Sequence, residues 1–206
     1  LGNSVGIAIG VVVVLLTWSA AAAVLLGFGL VPTLTVSQSQ SLCTVLRISL
    51  WWGLGLIATL GVLLNLGTAL GGRQAAVAIG TLGVLFALAG VLMVRQRNPR
   101  LDFATPKPGG WVLIATLGFA AVYLATAALG PVTNYDSGLY HLGAIRYASV
   151  FPVIPGIANL YFPFGYSTSQ FPLAALLTNG PWGGEGFRLL NGLIMFLAST
   201  DLVLRL

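Results

Sequence analysis

Residues 5–31 read VGIAIGVVVVLLTWSAAAAVLLGFGLV, 27 positions without a single charged side chain. A helix of about 20 apolar residues crosses the hydrocarbon of a bilayer, so this run can cross with length to spare. Similar runs recur outward from it. Pro32 is expected to close the first, and a polar, uncharged loop, PTLTVSQSQS (32–41), follows. Further spans are expected from about Arg47 to Leu70, from Ala75 to Val94 and from Trp111 to Leu129. A shorter apolar segment covers Phe171–Trp182, GGEG (183–186) breaks it, and a last one starts at Phe187.

Composition leads to the same class. Nine Lys or Arg and four Asp or Glu occur in 206 residues, against a hydrophobic fraction of 57%. A soluble domain carries roughly a quarter charged residues, so this chain could not cover a water-facing surface. The mean hydropathy of +0.97 agrees. The expected fold is an all-α, polytopic transmembrane helix bundle of about six spans, with an interfacial amphipathic helix in an extracytoplasmic loop. Its expected organisation is four N-terminal transmembrane helices in 1–130, the extracytoplasmic loop in 131–170, and two further transmembrane helices in 171–206. Both ends read as cut from a longer polypeptide, since Leu1 is not an initiating methionine and LVLRL stops inside an apolar run.

The net charge of +5 does not indicate nucleic acid. The positive charges cluster in RQRNPRLDFATPKPGG (95–110), and by the positive-inside rule that loop is cytoplasmic. The region 131–169 then faces outward. Arg47 and Arg188 are expected inside, and Arg73, Arg146 and Arg205 outside. The lone Cys43 has no intrachain disulfide partner, and no Cys/His spacing marks a metal site. GIAIG (6–10) and GTALG (67–71) have the small-residue spacing that lets helices approach closely.

Against this background NYDSGLYHLGAIRYASVF (134–151) stands out, because it gathers Asp136, the only histidine His141, Arg146 and three tyrosines. Leu139, Leu142, Ile145 and Ser149 recur at three- and four-residue steps and Pro152 stops the pattern, which predicts a short amphipathic helix. On a membrane surface it would bury Leu139, Leu142 and Ile145 in lipid and rest its tyrosines at headgroup level. Asp136 is then either a helix N-cap or a functional carboxylate. Arg146 would pair with Asp136 or with a lipid phosphate. The stretch that follows, FPVIPGIANLYFPFGYSTSQFP (151–172), is uncharged and aromatic, and is expected to fold back and wall an interfacial pocket.

The order of these features resembles the GT-C class of polytopic glycosyltransferases, the superfamily of protein O-mannosyltransferases and lipid A aminoarabinose transferases. The resemblance runs over about 131–206. NYDSGLYHLGAIRY with VIPGIANL looks most like a bacterial branch of GT-C-like proteins carrying a Tyr-Asp-Ser/Thr-Gly-Leu-Tyr-His motif. FPLAALLTNGPWGGEGFRLLNGLIMFL (171–197) is similar to the class's second and third core helices. The resemblance implies a multi-pass protein of the bacterial inner membrane, transferring a sugar from a polyprenyl-phosphate donor at the extracytoplasmic face. It implies Asp136 as the catalytic general base, a divalent metal in some members, and substrate binding by Tyr135, Tyr140, His141 and Arg146. One departure matters: Tyr161-Phe162-Pro163 stands where that branch carries a His-Gly-Arg-like triplet. The departure implies an alternative, an inactive GT-C-like subunit packed against other membrane proteins.

Overall fold

The computed structural model describes residues 2–36, 41–97, 108–165, 168–179 and 181–203. The basic loop expected at the cytoplasmic face lies, from residue 98 to 107, outside them. Among the described residues the fold is helical, without strands. Helices α1 (Gly2–Val36), α2 (Leu42–Asn65), α3 (Arg73–Arg97) and α4 (Pro108–Ala128) come first. A π-helical turn, Ser137–His141, runs into α5 (Leu142–Val150), and then come α6 (Ile157–Leu160), a 3₁₀ turn (Phe162–Gly165), α7 (Gln170–Leu176) and α8 (Phe187–Val203).

Four helices are long and apolar enough to cross a membrane, over Gly6–Val36, Leu42–Asn65, Arg73–Arg97 and Gly110–Ala128. They carry bare apolar side chains outward, among them Leu16, Leu88, Trp111 and Phe119. Such faces suit lipid better than water.

Several expected boundaries move. Pro32 does not close α1, which continues to Val36 with Pro32 inside it. Proline removes one N–H from the helical ladder, and in an apolar span neighbouring groups re-satisfy the backbone. The expected second span to Leu70 stops at Asn65, where the chain turns over 66–72 before α3. The apolar segment Phe171–Trp182 is helical only over Gln170–Leu176, seven residues with roughly 10 Å of rise.

The chain divides into two compact units. The first comprises Leu1–Leu54, Leu82–Leu129 and Asn191–Leu206. The GxxxG patterns do not mark the tightest approach in this unit: Gly10 packs on the Leu129 side chain, Gly6 faces open space, and GTALG lies at the α2–α3 turn. Instead, a Cβ on Gly29 would fall 1.7 Å from the Ser49 carbonyl oxygen, and one on Gly53 would fall 1.9 Å from that of Leu25. At this crossing α1 and α2 touch backbone to backbone. Beside it, the buried Ser49 hydroxyl bonds Val45 O (2.7 Å) and pairs with Thr33 Oγ1 (3.1 Å). Polar atoms hidden this way act as glue between apolar helices.

Arg47 of α2 and Asp201 of α8 form an ion pair at 2.6 Å, with side chains 19% and 12% exposed. Breaking a pair withdrawn from water leaves the surviving charge uncompensated, at a cost of about 3–5 kcal/mol. Arg47→Leu or Asp201→Leu alone should therefore lower stability by about 3 kcal/mol. The double variant should recover most of that loss. Thermal unfolding of the four proteins in detergent measures the cycle.

Candidate functional site

The second unit, Gly55–Thr81 and Gly130–Leu190, holds every candidate residue. Its small core is Leu70, Ala75 and Ala175, with Leu64, Ile145, Ala148 and Leu176 packed against it. Ile145 thus meets protein rather than lipid, because the α2–α3 turn and α7 cover that face of α5. Periodicity identifies an apolar face without saying what covers it.

The last carbonyls of a helix need outside donors, and those of α5 find them in the α2–α3 turn. Leu70 N–H donates to Ala148 O and Gly71 N–H to Ser149 O, both at 2.9 Å. A Cβ on Gly71 would come 2.7 Å from that Ser149 oxygen, so the turn needs glycine there. Asn65, which ends α2, is 6% exposed. Its Nδ2 lies 3.2, 3.3 and 3.1 Å from the carbonyl oxygens of Thr68, Ala148 and Phe151, and its own carbonyl accepts Val153 N–H at 2.7 Å. Asn179 Nδ2 ties Leu70 O (2.8 Å) to Leu176 O (3.1 Å). Arg188 bonds Gly130 O through Nη1 at 2.6 Å, pairs with Glu185, and lies over the Phe187 ring at 5.1 Å. These contacts hold both ends of the segment that carries the candidates.

Asp136 occupies the N-cap position of the π-helical turn but makes no side-chain cap hydrogen bond. Asn134 caps instead, its Oδ1 accepting from Asp136 N–H (2.9 Å) and Ser137 N–H (3.3 Å). The Asp136 carboxylate is exposed and left without that backbone duty. The π turn inserts an extra residue into the helical register, a device frequent at functional sites.

The other candidates are only partly gathered. Tyr135 is exposed, Tyr140 and His141 are half-buried, and Arg146 is exposed. Tyr140 and His141 meet edge to face at 4.3 Å, and His141 rests on Phe171 of α7 at 5.4 Å. Arg146 lies ten residues beyond Asp136, roughly 15 Å along a helix, out of reach of its carboxylate. Among the described residues neither Asp136 nor Arg146 joins an ion pair; the pairs are Arg47–Asp201 and Arg188–Glu185. No three His, Cys, Asp or Glu side chains converge among them as a divalent metal would need, so no step is assigned to a metal.

A separate half-open cavity of about 240 Å³ lies between α5 and the aromatic stretch after it. Tyr147, Phe164, Phe171 and Pro172 wall it, and Asn65 and Thr168 reach it. This is the pocket that the uncharged stretch 151–172 was expected to form, although Asp136, Tyr135, Tyr140, His141 and Arg146 all lie outside its lining.

A family model described as a domain of unknown function, DUF8201, matches residues 11–206. The chain belongs to that family. No curated protein and no solved structure matches it. The DUF8201 match takes in Asn65, Asn134 and Asn179 along with the charged candidates. Sequence reading passed over these three asparagines. Each is an amide without charge, and only the position of Asn65 beside an apolar run marks it.

Capping and catalysis can now be separated by substitution. An Ncap asparagine is worth about 1 kcal/mol over alanine. Asn134→Ala should lower stability by about that amount and speed amide exchange at residues 136–138. Asp136→Ala should change neither. Hydrogen exchange and thermal unfolding of the two variants check this.

Proposed function

We propose that this DUF8201 chain is a multi-pass membrane glycosyltransferase of the GT-C type, moving a sugar from a polyprenyl-phosphate donor at the extracytoplasmic face. Asp136 is the general base. Its carboxylate takes the proton from an acceptor hydroxyl, the acceptor oxygen attacks the anomeric carbon with inversion, and the lipid-borne phosphate leaves. The observation that carries the reading is the division of labour at the helix start: Asn134 does the capping, and Asp136 keeps a free carboxylate at the surface. Tyr135, Tyr140 and His141, within five residues of Asp136, orient the sugar and its phosphate. Arg146, nearly three turns further along, meets phosphate at the membrane surface, where a cation stabilises developing negative charge.

Asp136→Asn should keep the fold and abolish nearly all transfer, because an amide cannot accept the proton. Transfer of radiolabelled sugar from polyprenyl-phosphate donors in membranes measures it. Full activity in Asp136→Asn would reject the mechanism.

The proposed topology has five crossings, α1 to α4 and α8, and α7 enters from the outer face without crossing. The Arg188 bond to Gly130 supports it, since Gly130 follows the outer end of α4 and puts Arg188 at that same face. The Arg47–Asp201 pair supports it too, setting the end of α8 level with the cytoplasmic start of α2. Arg188 then moves outside and Arg205 inside relative to a six-span count, and the excess of positive charge inside is unchanged. In a chain with Cys43→Ser, Thr133→Cys and Gly183→Cys should both label with an impermeant thiol reagent from outside. Labelling of Gly183→Cys only after permeabilisation would restore six spans.

A second reading, an inactive GT-C-like subunit of a larger membrane complex, draws on one feature. Leu160, just before the triplet that stands in place of the basic one, and Phe162, within it, are 87% and 70% exposed. An apolar edge there fits a protein neighbour. Under that reading wild-type membranes show no transfer, and Phe162→Asp disrupts an assembly instead.

A further inference from the structure

We infer that the cavity beside α5 is a binding site for one neutral, hydroxyl-bearing ring of hexose size, held by Asn65 Oδ1. The orientation of the Asn65 amide is decided by its surroundings. Three carbonyl oxygens lie within 3.3 Å of one atom of the amide, so that atom must be the donor nitrogen. The Asn65 backbone carbonyl is taken by Val153 N–H. Oδ1 is then the acceptor that Asn65 offers to the cavity it lines, and no protein donor reaches it among the described residues. The residue is nine-tenths buried, yet among the described residues no buried side-chain polar atom lacks a partner, so Oδ1 stays open to the cavity, where water can satisfy it and a ligand that displaces water must bring a donor.

The remaining lining narrows the class of ligand. Among the described residues no charged side chain lines the cavity, so an ionic ligand would lose its hydration without a counter-charge. Tyr147 and Phe164 meet edge to face at 5.1 Å and offer aromatic surface to an apolar ring face. The Thr168 hydroxyl accepts Gln170 N–H at 3.3 Å and keeps its own proton to donate. The volume of about 240 Å³ falls below the 300–1,000 Å³ of sites for drug-sized ligands, which suits a single ring. An alkyl or isoprenoid chain would fill the space but leave Oδ1 without a donor.

The site is distinct from Asp136, and its test reads binding without turnover. Its failure would therefore leave the transfer mechanism standing, and failure of the mechanism would leave the site. The full chain in nanodiscs is titrated with methyl β-glucopyranoside, methyl β-glucuronide and methylcyclohexane, followed by saturation-transfer NMR. Asn65 also holds the fold together, so the variant that tests occupancy is Ala144→Phe, which fills the cavity from α5 and leaves the amide in place. The glucopyranoside should bind in the millimolar range, the glucuronide at least tenfold more weakly, and Ala144→Phe should lose at least tenfold. Equal binding of the glucuronide, displacement of the glucopyranoside by methylcyclohexane at equal concentration, or an unchanged signal in Ala144→Phe would each overturn the inference. So would no glucopyranoside binding at all.

Discussion

A helix that ends among apolar groups must find hydrogen-bond donors for its last carbonyls, because water is not there to supply them. In this protein the requirement falls on α5, and the α2–α3 turn meets it. Two backbone N–H groups and the Asn65 amide converge on carbonyls between Ala148 and Phe151. That set of bonds decides where α2 stops, why glycine stands at 71, and which face of α5 is covered. Asn179 extends it to the end of α7. The candidate segment is therefore held at its C-terminal end by amides and at its entry by Arg188 on Gly130.

Holding a segment by its backbone leaves its side chains available. Asn134 spares Asp136 from capping, and among the described residues the charge pairs Arg47–Asp201 and Arg188–Glu185 leave it aside. Asp136, in no ion pair among the described residues, thus stands with an exposed Arg146 on one helical segment. The aromatic cavity on the same helix is lined, among the described residues, by no charged side chain. The arrangement separates a surface where charge is tolerated from a recess where only neutral polar groups are present. The proposed transfer chemistry uses the first, and a neutral ring suits the second.

The charged residues away from that helix do structural work. Arg47 and Asp201 neutralise each other between α2 and α8, where an isolated charge would be expensive. Arg188 satisfies a carbonyl, a carboxylate and an aromatic face together. Arginine suits this role because its planar fork presents several fixed donors at once.

Much of the fold was legible in the sequence. Apolar runs such as 5–31 satisfy their backbone polar groups within themselves as helices, so four helices long and apolar enough to cross a membrane could be read directly. The cluster around Asp136 was legible too, because ionisable groups are rare here. Tertiary structure decided the rest. Pro32 could end or merely interrupt a helix, and in the folded chain α1 runs through it to Val36. Asn134 and Asp136 are both good caps, two residues apart, and only the path of the chain selected the first. Ile145 was readable as apolar but not as covered by protein, since periodicity reports a face and not its neighbour. Asn65 carries no charge and no pattern. Its role exists only because folding brings the end of α2 against carbonyls more than eighty residues away. Local sequence determines which backbone groups a segment satisfies by itself, and the groups it cannot satisfy are assigned partners only when distant segments meet.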